Sequence, residues 1–274
     1  MGLAVILIHV IHALTLDRMM EYKEISFHAT EIPPEMNGYR IAFITDTHSM
    51  PGKRLSEVAA ELNNRKVDLL VLGGDFPALD GAPRRSVEIL AQIVATDGIY
   101  GVEGNHDNHR ELFAAMKDHN IKPLSNSGLY VRDNFYLAGV EDLWNRSPNI
   151  AYALEGAAPG DFVLLIAHNP DITMLQETSG VSLILSGHTH GGQITFFGIL
   201  APALIPDFVT SYGHRFKSGW SLSGDGTPVY VSNGTGAYLP RVFARPQVIL
   251  ITLISEQGEH RNPQHALLMN FYFL

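Results

Sequence analysis

Val181–Ile194, VSLILSGHTHGGQI, opens as a short apolar run and breaks at Ser186-Gly187 into two histidines and a glycine pair. Val181, Leu183, Ile184 and Leu185 read as a buried strand. His188 and His190 lie two apart, so on an extended backbone both imidazoles would face one cleft. Gly191-Gly192 let the chain turn, or lie close to a ligand, with no side chain in the way.

Four earlier stretches repeat this design: RIAFITDTH (40–48), DLLVLGGD (68–75), GIYGVEGNHD (98–107) and FVLLIAHNP (162–170). Each is an apolar run ending in a side chain able to bind a metal or carry a proton. In a largely parallel α/β sheet the loops after the strand C-terminal ends collect on one edge, where ligands bind. Five such ends would bring Asp46, His48, Asp75, Asn105, His106, His168, His188 and His190 together. Singly, each has an ordinary explanation: a turn residue, a capping carboxylate, a satisfied buried histidine. Five strand ends of the same kind are hard to obtain from packing alone.

The 274 residues suffice for one large domain with a full core. Hydrophobic residues make up 46% and charged residues 17%, a globular and slightly apolar composition. A net charge of -9 with no basic run argues against a nucleic-acid polymer as partner. It leaves room for a small phosphorylated substrate, because bound divalent metals invert the local sign of a site. With no cysteine, disulfides are excluded and any metal must take nitrogen and oxygen ligands.

Residues 2–16, GLAVILIHVIHALTL, are apolar but for His9, His12 and Thr15, and end at Asp17-Arg18. The run falls short of the roughly 20 residues that span a membrane, and lacks the basic start and cleavage site of a signal peptide. It reads as a buried or membrane-interfacial helix. His9 and His12, three apart, serve as polar relief or as a ligand pair. Residues 22–32 alternate as a strand and stop at Pro33-Pro34; helices are expected over about 55–65, from Pro83 through Val94, and from an Asn108 cap to about His119. This βαβαβ order marks a layered α/β fold. The second half is strand-rich, at 130–131, 135–140, 163–166, 183–185, 194–197, 229–232 and 248–254, with helix only near 150–154 and 171–177. The simplest organisation is an apolar N-terminal segment (1–20), one domain (21–255) and a C-terminal tail (256–274) that packs on the domain or touches a membrane.

The ordered blocks D-x-H, G-G-D, G-N-H-D, H and G-H-x-H resemble the calcineurin-like metallophosphoesterase family over about 22–254. GHTHGGQI and GTGAYLPRVFARPQV are most similar to its bacterial branch of small phosphodiesterases and UDP-2,3-diacylglucosamine diphosphatases. The resemblance implies a four-layer α/β/β/α sandwich of two mixed sheets flanked by helices, around two divalent ions. Asp46, His48 and His190 would hold one ion, Asn105, His168 and His188 the other, with Asp75 bridging. A bridging carboxylate holds such ions roughly 3.5–4 Å apart, the spacing that clamps an in-line displacement. The donors suit Mn, Fe, Ni, Co or Zn, with Mn favoured as the activating ion. A hydroxide held between the ions would attack phosphorus directly, His106 would protonate the leaving oxygen, and Asp107 would orient His106 or merely open the following helix.

On the substrate side Arg241 and Arg245 are candidates to grip a phosphate or diphosphate. His109, Asn145, Tyr212, His214 and Tyr238 are further cleft candidates, and Trp144 and Trp220 read as core or rim. GGDFPALDG is not followed by the D-R-G of a protein Ser/Thr phosphatase, and Ala78 stands where a purple acid phosphatase has its tyrosine ligand. The expected activity is metal-dependent hydrolysis of a phosphodiester or diphosphate, with a lipid-linked nucleotide sugar such as UDP-diacylglucosamine as the envisaged substrate. The envisaged place is the cytoplasm, or the cytoplasmic membrane by peripheral contact. A soluble cyclic- or small-nucleotide phosphodiesterase and a non-catalytic scaffold are the alternatives.

Overall fold

Alternate residues of the strand Arg40–Ile44 face two different cores, and that alternation builds the molecule. Ile41 and Phe43 join a cluster lying between two sheets, while Ala42 and Ile44 join a cluster under helices. A computed structural model describes residues 2–77, 81–205, 208–237 and 240–257. Ala78, Tyr238 and the tail beyond residue 257 lie outside them.

The strands are β1 (Glu21–Ala29), β2 (Arg40–Ile44), β3 (Leu69–Leu72), β4 (Ile99–Gly101), β5 (Lys122–Pro123), β6 (Ser127–Arg132), β7 (Phe135–Gly139), β8 (Phe162–Ile166), β9 (Leu183–Ser186), β10 (Gly219–Leu222), β11 (Pro228–Val231) and β12 (Gln247–Ser255). They form two six-stranded sheets, in the orders β1-β12-β2-β3-β4-β5 and β10-β11-β9-β8-β7-β6. Both are mixed: β2, β3, β4 and β5 run parallel, as do β7, β8, β9 and β11, while β12 against β2, β6 against β7 and β10 against β11 are antiparallel.

Phe162, Leu164 and Ile166 of β8 meet Ile41, Phe43, Leu69 and Val71 between the sheets. The outer face of the first sheet (Leu70, Leu72, Val248, Leu250) packs on helices, with Leu55, Val58 and Leu62 of α2 (Gly52–Arg65), Val87 and Leu90 of α3 (Arg84–Leu90), and Leu112 and Met116 of α4 (His109–Asp118). The outer face of the second packs on Ile150 of α5 (Ile150–Ala153) and Ile172 of α6 (Ile172–Leu175), each barely a turn. The architecture is therefore the α/β/β/α sandwich, with one helical layer thin. Asn108 caps α4 as its sequence suggests, accepting the Glu111 N–H at 3.2 Å.

Three expectations change. The helix from Pro83 stops at Leu90, and Val94, placed in its buried face by periodicity, is 74% exposed. Residues 194–197 are not a strand; Ile194 and Phe196 make single bridges to Val242 and Leu200, inside a loop that exposes Phe196, Ile199 and Leu200. The N-terminal run is helical, α1 (Gly2–Leu14), but none of its residues is buried. No described helix is long and apolar enough to cross a membrane.

Candidate metal centre

Asp46 and His48 follow β2, Asp75 follows β3, Asn105 and His106 follow β4, His168 follows β8, and His188 and His190 follow β9. Because β2–β4 are parallel, as are β8 and β9, these loops emerge at matching ends of the facing sheets. The geometry brings the expected donors together. Nε2 of His190 lies 3.4 Å from Asp46 Oδ1 and 3.0 Å from His48 Nε2. The Asp75 Oδ2 oxygen lies 3.4 Å from His48 Nε2 and 3.3 Å from His168 Nε2, so it faces both groups of donors. Asn105 Oδ1 is 3.2 Å from His168 Nε2 and 2.9 Å from His188 Nδ1. Asp46, His48 and His190, and Asp46, Asp75 and His168, each offer ligand atoms close enough to share an ion.

The rings are aimed by bonds on their far sides, an arrangement typical of metal-binding histidines. His168 Nδ1 donates to the Gly73 carbonyl at 2.7 Å, and His188 Nε2 donates to the Val209 carbonyl at 3.0 Å. The loop bearing Val209 is tied down where Asp171 accepts the Thr210 hydroxyl (2.5 Å) and the Ser211 N–H (2.8 Å). Asn145 donates its side-chain amide to the Asn105 carbonyl. The buried Asp142 accepts from the N–H groups of Trp144 (2.9 Å) and Asn145 (2.8 Å), holding that loop over the site.

His188 and His190 reach the cleft by a route that strand alternation does not describe. Both have left-handed backbone (φ 69° and 53°), as do Asp46 (53°), His48 (37°) and Asp75 (60°). Residues with a Cβ rarely adopt this region, and such strain gathers at functional sites. Two glycines allow the approach. A Cβ on Gly104 would sit 2.3 Å from Asp75 Oδ1, and one on Gly187 2.2 Å from Asp46 Oδ2.

Charge is organised around the two carboxylates. Burial pushes Asp75 up, but the neighbouring His168 and His48 outweigh it and hold Asp75 at about 2; Asp46 is likewise lowered, chiefly by His190 and His48. Burial works against protonation of His168, yet the Asp75 charge raises it to about 10. Burial lowers His188 to about 4 and His190 to about 3, so both are neutral near pH 7. Neutral His188 keeps its proton on Nε2, toward Val209, and so turns a bare Nδ1 lone pair toward the Asn105 amide oxygen. Two lone pairs at that distance repel unless a cation lies before them, and this donor set fits divalent metal.

Asp107 is committed to the backbone. Its carboxylate accepts from the backbone N–H groups of Asp75 (2.7 Å), Phe76 (2.9 Å) and Gly104 (2.9 Å), clamping the Asp75 loop to the Asn105 loop. Burial and the Asp75 charge push it up to about 7. His106 donates its own N–H to Asp75 Oδ1 at 2.8 Å and stands exposed beside His48. Arg241, expected to grip phosphate, is buried and spends its guanidinium on the carbonyls of His190, Asn233, Gly236 and Ala244. It fastens the His190 loop, and neither it nor Arg245 lines the cleft. His109 pairs with Glu103 at 2.8 Å, His214 accepts the Ala201 N–H, and Tyr212 stacks on Phe216.

His48, Asp75, Asn105, His188 and His190 form the floor of a 720 Å³ cavity. Its walls are Trp144, which meets the His188 ring edge-on at 4.6 Å, and the apolar side chains of Ile194, Pro202, Phe208 and Val209. No sequence pattern marks those last four, because an apolar loop residue announces neither a cavity nor a core. Trp220 stacks instead on Phe27 and Tyr230, away from the site.

A family model described as calcineurin-like phosphoesterase matches residues 39–192. A zebrafish transmembrane protein with metallophosphoesterase domain is 29% identical over 84% of this chain and 56% of its own length. The metallophosphoesterase YkuE of Bacillus subtilis is 29% identical over 86% of each chain, and the phosphodiesterase YaeI of Escherichia coli 28% identical over 79% of this chain and 82% of its own. The chain spans little more than half the length of the vertebrate relatives it matches.

Proposed function

The chain belongs to the calcineurin-like phosphoesterase family; from that premise we propose that it is a metal-dependent phosphoester hydrolase that cleaves a phosphodiester or diphosphate by direct attack of water on phosphorus, without a phosphorylated enzyme. The observation that carries this is the set of lone pairs converging from five strand ends, four of which line one cavity. In this reading Asp46, His48 and His190 hold one divalent ion, Asn105, His168 and His188 the second, and Asp75 faces both. The ions, with Mn preferred over Fe, Ni, Co or Zn, would supply Lewis acidity at the phosphoryl oxygens and a more acidic water.

The protein's own groups do the rest. Gly73 and Val209 keep His168 and His188 in the tautomers that present a lone pair inward. Asp107 holds the Asp75 loop by three N–H bonds, acting as a positioning residue. His106, exposed at the cavity and assigned to neither ion, delivers a proton to the leaving oxygen. Trp144, Ile194 and Phe208 give the substrate an apolar wall beside its phosphate, which favours a substrate with a greasy part, such as a lipid-linked nucleotide sugar. A chain acting on such a substrate would work peripherally at the cytoplasmic membrane.

The test is a screen of aryl phosphodiesters, phosphomonoesters, cyclic AMP and UDP-2,3-diacylglucosamine across Mn, Fe, Ni, Co, Zn and Mg, with bound metal measured in parallel. Mn-dependent release of UMP from the acylated sugar nucleotide is the expected result. Cleavage of cyclic AMP alone would select the small-nucleotide alternative. Metal-loaded protein that cleaves none of these would be a scaffold.

A further inference from the structure

Helix α1 is amphipathic the wrong way round for water. Its half-buried stripe is Val5, His9, His12 and Ala13, at the i, i+4, i+7, i+8 spacing of one helix face, while Leu3, Ile6, Leu7, Ile8, Val10, Ile11 and Leu14 point outward. The two polar side chains of the helix are thus the ones turned to the body. His9 stacks among Phe196, Phe197 and Phe243, and His12 lies 3.8 Å from the Phe243 ring and bonds Asp17 at 2.7 Å. Asp17 in turn accepts the N–H groups of Phe243 and Ala244. A helix of a water-soluble domain puts its apolar stripe inward and its polar face out.

The loop that His9 touches extends the same apolar surface. Phe196, Ile199, Leu200, Ile205 and Phe208 are exposed, Ile199 by 76% and Phe208 by 73%, and Phe208 also walls the histidine-lined cavity. The cavity mouth therefore opens at the border of one apolar platform built from a helix and a loop.

Charge follows the platform. Residues 2–20, 194–220 and 236–246 carry five Lys/Arg and two Asp, against 19 Lys/Arg and 28 Asp/Glu in the whole chain. Under the C-terminal end of α1 lies a 280 Å³ cavity lined by Arg18 and Arg54, with the carbonyl-bound Arg241 behind them. Its one acidic lining residue, Asp17, is occupied by backbone amides. A groove on a protein partner would need one apolar stripe of the helix; here every face but the inward one is apolar, and basic groups sit at its foot. That combination is complementary to acyl chains beneath anionic headgroups.

We propose that the outer face of α1, with loop residues 196–205 and Phe208, forms a docking surface for an anionic lipid bilayer, with Arg18 and Arg54 at the foot of α1 receiving a headgroup phosphate. The 13 residues of α1 measure about 20 Å, shorter than the roughly 30 Å apolar core, and its outward apolar face suits the interface. That the cleft then opens beside the lipid rests on the hydrolase reading above; the docking does not.

The test is co-sedimentation of the full chain with phosphatidylcholine vesicles, with and without phosphatidylglycerol. The chain is expected to sediment with the anionic vesicles and more weakly with the neutral ones. Leu7→Glu on the helix and Ile199→Glu on the loop are each expected to lower bound protein about tenfold or more, the effect of losing one buried large apolar side chain. Both should leave Mn-dependent cleavage of a water-soluble aryl phosphodiester unchanged. Both positions are exposed, so the variants fold, and thermal unfolding checks this. The proposal is overturned if the chain stays in solution with both vesicles, if either variant sediments like the parent, or if the parent is a dimer that Ile199→Glu dissociates. Loss of hydrolysis in the parent with vesicle binding intact would instead overturn the hydrolase reading alone.

Discussion

His106 and Asp75 are adjacent in space, joined by a 2.8 Å bond, yet have separable roles. His106→Ala is expected to keep bound metal, measured by elemental analysis, while turnover falls by about 10²–10⁴, the usual weight of a positioned acid or base. Asp75→Asn is expected to lose metal itself, because a neutral amide replaces the carboxylate facing both groups of donors. Asp107→Asn tests a different property. An amide can accept from only part of the three N–H groups that the carboxylate holds, so about 1–3 kcal/mol of stability should go, seen as a lower melting temperature. The seven side chains singled out by sequence spacing do converge, because each follows an apolar run that becomes a strand. Spacing missed what Asp107 and Arg241 bind, since their partners are main-chain N–H and carbonyl groups that no pattern displays.

The strands were legible where apolar runs are long and closed by Gly, Asn or Asp, as in β2, β3, β8 and β9. Residues 194–197 alternate much like a strand, but they have only single bridges as partners and became a loop. The short helix α3 shows the same limit: periodicity extends to Val94, while the helix ends at Leu90 and Ile93, out of that period, turns into the core instead. Most informative at this scale are the strand-to-loop junctions. Gly104→Ala would drive a methyl group to 2.3 Å from Asp75 Oδ1, a contact that only a shift of the loop can relieve. Bound metal and turnover are both expected to drop in this variant, with circular dichroism unchanged; retention of full metal content would show that the junction has slack.

Across the whole molecule, the donors from β2, β3 and β4 belong to one sheet and those from β8 and β9 to the other. Ions held between them would tie the sheets together, so chelation should lower the melting temperature, by roughly 2–4 °C for each kcal/mol of binding free energy withdrawn. Proton release gives an independent check. With His168 raised to about 10, the metal-free protein carries a proton there at pH 7 that a ligand imidazole must give up. Loading should therefore release about one proton per chain, measured by calorimetry in buffers of different ionisation enthalpy, and affinity should climb with pH toward that value. The sign for the metal-free fold is opposite. The raised histidine contributes stability below its unfolded value near 6.5, and that contribution disappears as pH rises through about 10.

Asp46, His48, Asp75, His188 and His190 all sit on left-handed backbone, a shape a free peptide of these sequences would hardly ever visit. The donors after β2, β3 and β4 meet those after β8 and β9 only where the two sheets face each other, so a chain with one sheet formed would offer a cation half of the cage.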